Sequence, residues 1–236
     1  MSKIAVFVEG QSELIFVREF LLKKYIYNVD ITCMELFKGG NLVPAEYDYI
    51  IGAELKYLLV NIGNDQKVLS VILEREKGLF NQGYDRVIGL RDMYSQAYKE
   101  ISTVINEELN KKIKHDINEV IRTKSSNPEK IFMRFSIMEI EAWFLGLYKI
   151  FEKVDGELTK NYIYEKLGID LSESDPETSF FKPADIVYNI CNLKKINYKK
   201  SKSNTESFCC HLTNADYSDL NASPFCSSFT EFYNIL

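Results

Sequence analysis

The sequence predicts an α/β fold with a mainly parallel central sheet, helices on both faces and a helical C-terminal extension. Three observations carry that prediction. Residues 4–8 are a β-branched and aromatic run that stops at Glu9-Gly10. A helical spacing of apolar residues follows at once: Leu14, Ile15, Val17, Phe20, Leu21 and Leu22. The same strand-then-helix logic returns at residues 87–90 and 131–137, in a chain of 236 residues that is long enough for a sizeable core.

In the first unit Gly10 permits a sharp turn and Ser12 caps the helix, which ends near Tyr25. Glu9 then stands at the carboxyl end of a strand, where open α/β sheets gather their ligands. The plainer reading is that Glu9 only solvates the strand end. Residues 29–37 form a second strand, followed by Lys38-Gly39-Gly40-Asn41. Two glycines beside a lysine suit close approach to a phosphate, and equally suit a turn with a solvated lysine.

Over about 44–81 the apolar spacing is helical twice. Ile50, Ile51, Leu55, Leu58 and Leu59 make one stripe, and Val68, Val71, Ile72 and Leu79 the other, with a break at Gly63-Asn64-Asp65. This segment is expected to be a helical insertion outside the sheet. Residues 87–90 are a short buried strand ending in Arg91-Asp92, and 95–124 a polar helix that stops at Ser125-Ser126-Asn127-Pro128. Residues 131–137 form the next strand and run into an apolar helix from Met138 to about residue 151. Glu139 and Glu141 point in different directions if both are helical, and reach one site only if the chain stays extended through the first residue or two.

Beyond Asp155-Gly156 come a short helix at 158–167, a polar loop at 172–183 and a helix at 184–193. The expected division is therefore an α/β domain at 1–155 and a helical extension at 156–236. Residues 194–203 carry five lysines within nine residues, interrupted by Tyr198. Such a run grips a phosphate backbone or lies as a solvated loop.

Composition narrows the function. A net charge of -5 argues against coating nucleic acid through bulk charge and leaves room for a local basic groove. No apolar run approaches the roughly 20 residues that span a membrane, and the chain opens on a strand, so a cytoplasmic protein is expected. Five cysteines form no C-x-x-C pair, and Cys209-Cys210-His211 is a soft-metal candidate without a second cluster to complete it. The acids tell more. Glu9, Asp92 and Glu139/Glu141 each follow a strand, and carboxylates without histidine or thiol partners are hard ligands suited to Mg²⁺ or Mn²⁺. An ion held this way polarises a phosphodiester and activates a water. Lys199, as the catalytic cation, would offset charge developing on phosphorus, and Lys38, Lys199 and Lys200 would line the approach of DNA or RNA.

Val8-Glu9-Gly10 with Glu13, Gly39-Gly40, Leu90-Arg91-Asp92-Met93-Tyr94, Met138-Glu139-Ile140-Glu141-Ala142 and Tyr198-Lys199-Lys200 together resemble a TOPRIM-like family of bacterial proteins related to the OLD-type nucleases. The series spans most of the chain in order, and each piece is short. The resemblance implies a metal-dependent nuclease-like centre with Glu9 as general acid/base or ligand, Asp92 as ligand, and Glu139 or Glu141 completing the site. It also implies an ABC- or AAA-type ATPase partner and a role in anti-phage defence, and leaves homo-oligomerisation open. One departure stands out: TOPRIM enzymes carry Asp-x-Asp at the second motif, whereas Asp92-Met93-Tyr94 has one carboxylate fewer. A catalytically inactive subunit that binds nucleic acid or the ATPase is therefore the alternative.

Overall fold

The computed structural model describes residues 2–236, and the chain forms two compact units: Met1–Arg91 with Asn106–Phe135, and Asp92–Ile105 with Ser136–Leu236. The first unit is built on a six-stranded sheet of order β3-β2-β4-β1-β5-β6. Its strands are β1 (Ser2–Val8), β2 (Asp30–Leu36), β3 (Leu42–Pro44), β4 (Leu55–Asn61), β5 (Arg86–Asp92) and β6 (Ile131–Ser136). β1 pairs in parallel with β4 and β5, β2 in parallel with β4, and the short β3 is antiparallel to β2. The four strands expected from the sequence are all present, and the sheet is mostly parallel as expected.

Burial explains the pattern. Residues 4–8 are at most 2% exposed, which is why β1 reads as a continuous apolar run and not an alternating one. The connection β1 to β2 through α1 (Gln11–Lys24) crosses the sheet one way, and β4 to β5 through α2 (Val68–Asn81) crosses it the other way. With right-handed crossovers, opposite directions put α1 and α2 on opposite faces. The unit's third helix is α4 (Glu107–Lys124), whose end is tied to α2: Glu76 accepts hydrogen bonds from the Ser126 amide (2.8 Å) and hydroxyl (3.0 Å).

The segment 44–81 is not the helical insertion outside the sheet that the spacing predicts. Its second half is α2, but its first half contains β4, a central strand lying between β1 and β2. The reason is physical. The buried Asp30 carboxylate accepts the backbone N–H groups of Ile51, Gly52 and Ala53 at 2.8, 2.9 and 3.0 Å, and Asp48 accepts that of Cys33 at 2.7 Å. These bonds, with the Ala45 and Tyr49 N–H groups donating to the Cys33 and Ile31 carbonyls, tie residues 45–53 to β2 in place of a helix. Gly52 and Gly63, both at positive φ, then bound the strand.

Three smaller expectations also change. Ser12 lies inside the first turn of α1, whose N-cap is Gly10 without a side-chain bond. Gly10 itself is extended at φ -152°, so no special turn is required there; an added Cβ would instead meet a Glu13 carboxylate oxygen at 3.0 Å. The helix expected over 95–124 is two helices, because Ser102 ends α3 (Gln96–Ile101) and Asn106 caps α4.

The second unit is helical: α3, then α5 (Glu141–Gly146), α6 (Lys149–Val154), α7 (Lys160–Leu167), α8 (Pro176–Ser179), α9 (Pro183–Asn192), α10 (Lys202–Cys209), α11 (Asn214–Ala222) and α12 (Ser227–Ile235). The single apolar helix expected from Met138 to about 151 is thus split into α5 and α6. Trp143 on α5 meets Phe229 edge-on and stacks on Phe232, both on α12, at 5.4 and 5.5 Å between ring centroids. Among the described residues no helix is long and apolar enough to cross a membrane.

Candidate functional site

Beyond the last residue of β5 and β6 the two segments stay paired within the second unit. The Met93 N–H donates to the Ser136 carbonyl at 2.9 Å, and that of Tyr94 to the Met138 carbonyl at 2.8 Å. Asp92 and Ser136 are therefore neighbours. Ser136 Oγ donates to Asp92 Oδ1 at 2.5 Å, and the Ile140 N–H donates to the same oxygen at 3.1 Å.

Met138 has φ +64°, a left-handed conformation unusual for a side chain of that size. This reversal delays the helix: Glu139 precedes α5 and Glu141 is its first residue. Two glutamates that would diverge on one helix can then meet. The Glu139 carboxylate accepts the Ala184 N–H at 3.1 Å, in the first turn of α9, where the N-terminal amides and the helix dipole favour an anion.

The meeting point is the Lys200 ammonium. Its Nζ lies 3.0 Å from Glu139 Oε1, 3.1 Å from Glu141 Oε2 and 3.6 Å from Asp92 Oδ2. The other Glu141 oxygen accepts the hydroxyl of Tyr198 at 3.0 Å. Glu141 Oε2 meets only the Lys200 ammonium, as an ion pair, and no aligned hydrogen-bond donor. The side chains of Glu141, Asp92 and Glu139 are only 1%, 9% and 13% exposed, whereas that of Lys200 is 39% exposed. Burial pushes the Glu141 carboxyl up to about 7, Lys200 opposes the rise, and the charges of Asp92 and Glu139 add to it. Asp92 is raised for the same leading reason. The Tyr198 hydroxyl is also raised, by burial first and then by the Glu141 charge.

Three carboxylates with no imidazole or thiolate form a hard donor set, and a buried oxygen without a hydrogen bond fits a further cation. The donor chemistry therefore fits Mg²⁺ or Mn²⁺ held by Asp92, Glu139 and Glu141. Among the described residues, however, no group of three or more His, Cys, Asp or Glu side chains is arranged to hold a metal ion. The carboxylates fan around the ammonium at ion-pair distances, well beyond the roughly 2.1 Å of a magnesium–oxygen bond.

The remaining expected residues lie as follows. Lys199 is exposed, and its backbone N–H donates to Asn204 at 3.0 Å; the lysine whose ammonium meets the acids is its neighbour Lys200. Lys38 belongs to the first unit, exposed on the turn from β2 to β3. There Gly39 and Gly40 take φ +90° and +85°, and the turn lines a cleft of about 500 Å³ with Asn64, Lys67 and Ser70. Glu9 follows β1 in the first unit, its N–H donating to the Leu90 carbonyl at 3.1 Å. Cys209 is buried and Cys210 exposed. Tyr94, in place of a second aspartate, packs edge-on against Phe181 and carries Lys99 over its ring at 4.2 Å.

Ser136, Tyr198 and the Ala184 amide hold the acids and were not foreseen. Two left a trace in the sequence: Ser136 is a polar residue at the end of a largely apolar strand, and Tyr198 the aromatic residue within the lysine run. No family model matches the chain, and no curated protein matches it. Among solved structures, the C-terminal region of the Burkholderia pseudomallei OLD protein aligns with a TM-score of 0.43 and 13% identity, over 99% of this chain and 98% of that one.

Proposed function

We propose that this protein is a Mg²⁺- or Mn²⁺-dependent phosphodiesterase acting on DNA or RNA in the cytoplasm, an effector of anti-phage defence kept in check by an ATPase partner. One observation supports the chemistry above all: Asp92, Glu139 and Glu141 converge after two adjacent strands, with a buried glutamate oxygen left without a hydrogen bond. In this reading those three side chains hold the ion. The ion would polarise the phosphodiester and activate a water. Glu9 enters as general acid/base or additional ligand, and Lys199 as the catalytic cation, on the strength of the sequence pattern alone. Lys38, Lys199 and Lys200 would contact the nucleic acid, and the ATPase partner and defence role likewise rest on the family resemblance.

Asp92-x-Tyr94 and the ammonium seated among the acids favour the second reading, a catalytically inactive subunit that binds nucleic acid or the ATPase. Cleavage of single- and double-stranded DNA and RNA, with Mg²⁺ or Mn²⁺, separates the two. The expected result is cleavage by the wild type that falls by about 100-fold or more in Asp92→Ala and Glu9→Ala, the scale of losing a catalytic group. Cleavage that persists undiminished in both variants, or binding without any cleavage by the wild type, overturns the enzymatic reading.

A further inference from the structure

We propose that Lys200 is a tethered occupant of the cation seat, so that metal loading is an exchange in which the lysine side chain swings out as the divalent ion enters. The inference rests on the reading of Asp92, Glu139 and Glu141 as ligands, and it concerns how that site is regulated. Nζ stands within 3.6 Å of all three carboxylates, at the position from which a single ion would contact them together. A lysine beside a metal site usually takes the flank; here it takes the centre.

The ammonium satisfies the seat incompletely. It brings one positive charge to three acidic side chains and hydrogen-bonds Glu139 Oε1, while Glu141 Oε2 at 3.1 Å goes without a hydrogen bond. A hard divalent ion brings twice the charge and no angular demand on its donors. An ammonium and such an ion cannot share this space, because a divalent and a monovalent cation so close repel strongly at the effective dielectric of a protein surface.

The backbone around Lys200 shows how the exchange would run. Tyr198 is buried, bonded through its hydroxyl to Glu141 and packed against Phe208 at 5.1 Å between ring centroids. On the other side, Ser201 caps α10 and its N–H donates to the Lys199 carbonyl at 2.7 Å. The main chain is pinned on both sides of Lys200, so the moving part is the four-carbon stem, already the most exposed side chain of the cluster. Tyr198 would keep Glu141 aimed while the lysine is out.

The test is Mn²⁺ binding by the full-length chain, measured by calorimetry or by the free-Mn²⁺ paramagnetic resonance signal, in wild type, Lys200→Met and Lys200→Met/Glu141→Gln. The expected result is binding by Lys200→Met at least about tenfold tighter than wild type, reflecting removal of a competing charge, and loss of that gain in the double variant. Equal or weaker binding by Lys200→Met, abolished in Lys200→Met/Glu141→Gln, overturns the exchange and leaves the metal reading intact. Absence of Mn²⁺ binding in wild type and Lys200→Met alike overturns both. If Lys200→Met does not fold, the wild type reports the same event: the Lys200 ammonium resonance, held by the hydrogen bond to Glu139, disappears when Mg²⁺ is added. A signal that persists at saturating Mg²⁺ overturns the exchange.

Discussion

Glu141 and Glu177 are both almost fully buried in the second unit, at 1% and 3% exposure, and burial raises the carboxyl pKa of each. Their surroundings differ. Glu177 meets neutral donors on both oxygens: Trp143 Nε1 at 3.1 Å and the Ser228 hydroxyl on one, the Ser228 N–H at 3.1 Å on the other. Trp143 also donates to Ser228 Oγ at 3.0 Å, closing the network between α5, α8 and α12. Glu141 has the Tyr198 hydroxyl on one oxygen and only a misaligned ammonium near the other. The first acid is complete and serves packing. The second keeps an unmet demand, which is what a binding site must keep.

Glu177→Ala puts the largest strain on that contrast. It leaves the Ser228 amide without its buried partner and opens a void beside Trp143, so unfolding free energy should fall by about 3 kcal/mol or more in urea titrations. Glu141→Gln should do the opposite in metal-free buffer. The folded-state pKa of Glu141 is raised from 4.5 to about 7, so its stabilisation is fully present below about pH 4.5 and is lost as pH rises through about 7. A neutral glutamine is spared that loss. The gap between variant and wild type should therefore shift in favour of Glu141→Gln by on the order of 2 kcal/mol between pH 4.5 and 8, read from paired denaturation curves. A gap independent of pH would mean that Glu141 is as well satisfied as Glu177. The smallest effect belongs to Tyr198→Phe, which removes one hydrogen bond to Glu141 and costs about 1 kcal/mol of stability. If Tyr198 aims Glu141, the same variant should also weaken Mn²⁺ binding, an effect that a packing role alone would not produce.

The sequence exposed those parts of the fold whose local signal was unambiguous. β1, β2, β5 and β6 carry β-branched or aromatic runs cut off by acids or glycine, and each lies where such a run predicts. β4 escaped because Leu55-Lys56-Tyr57-Leu58-Leu59-Val60 suits a helix as well as a strand by spacing. What decided it was remote: three amides of residues 51–53 gathered by Asp30, a bond no periodicity contains. The acids of the candidate site were visible as residues that follow strands. Their convergence was not, because it depends on the left-handed turn at Met138, and methionine gives no warning of that conformation. Likewise the lysine run showed charge without address. Whether Lys199 or Lys200 faces the acids is settled by the neighbouring Tyr198, whose buried ring fixes the register of the loop.

The strand order carries a consequence for how the chain is made. β1 and β2 are joined by α1 yet never touch, since β4 lies between them and is synthesised last of the three. As the polypeptide leaves the ribosome, its first two strands cannot pair with each other in the native arrangement, and both edges of the gap stay open until residue 61 has emerged. During that interval the apolar run of β1 is an unpaired strand available to any other nascent chain. Closing the gap means inserting a strand between two already formed edges, a non-local step of the slow kind. The β3 turn and the loop tied down by Asp30 follow β2 immediately and cover its outer side, so the early intermediate has its outer edge shielded before its inner one is filled.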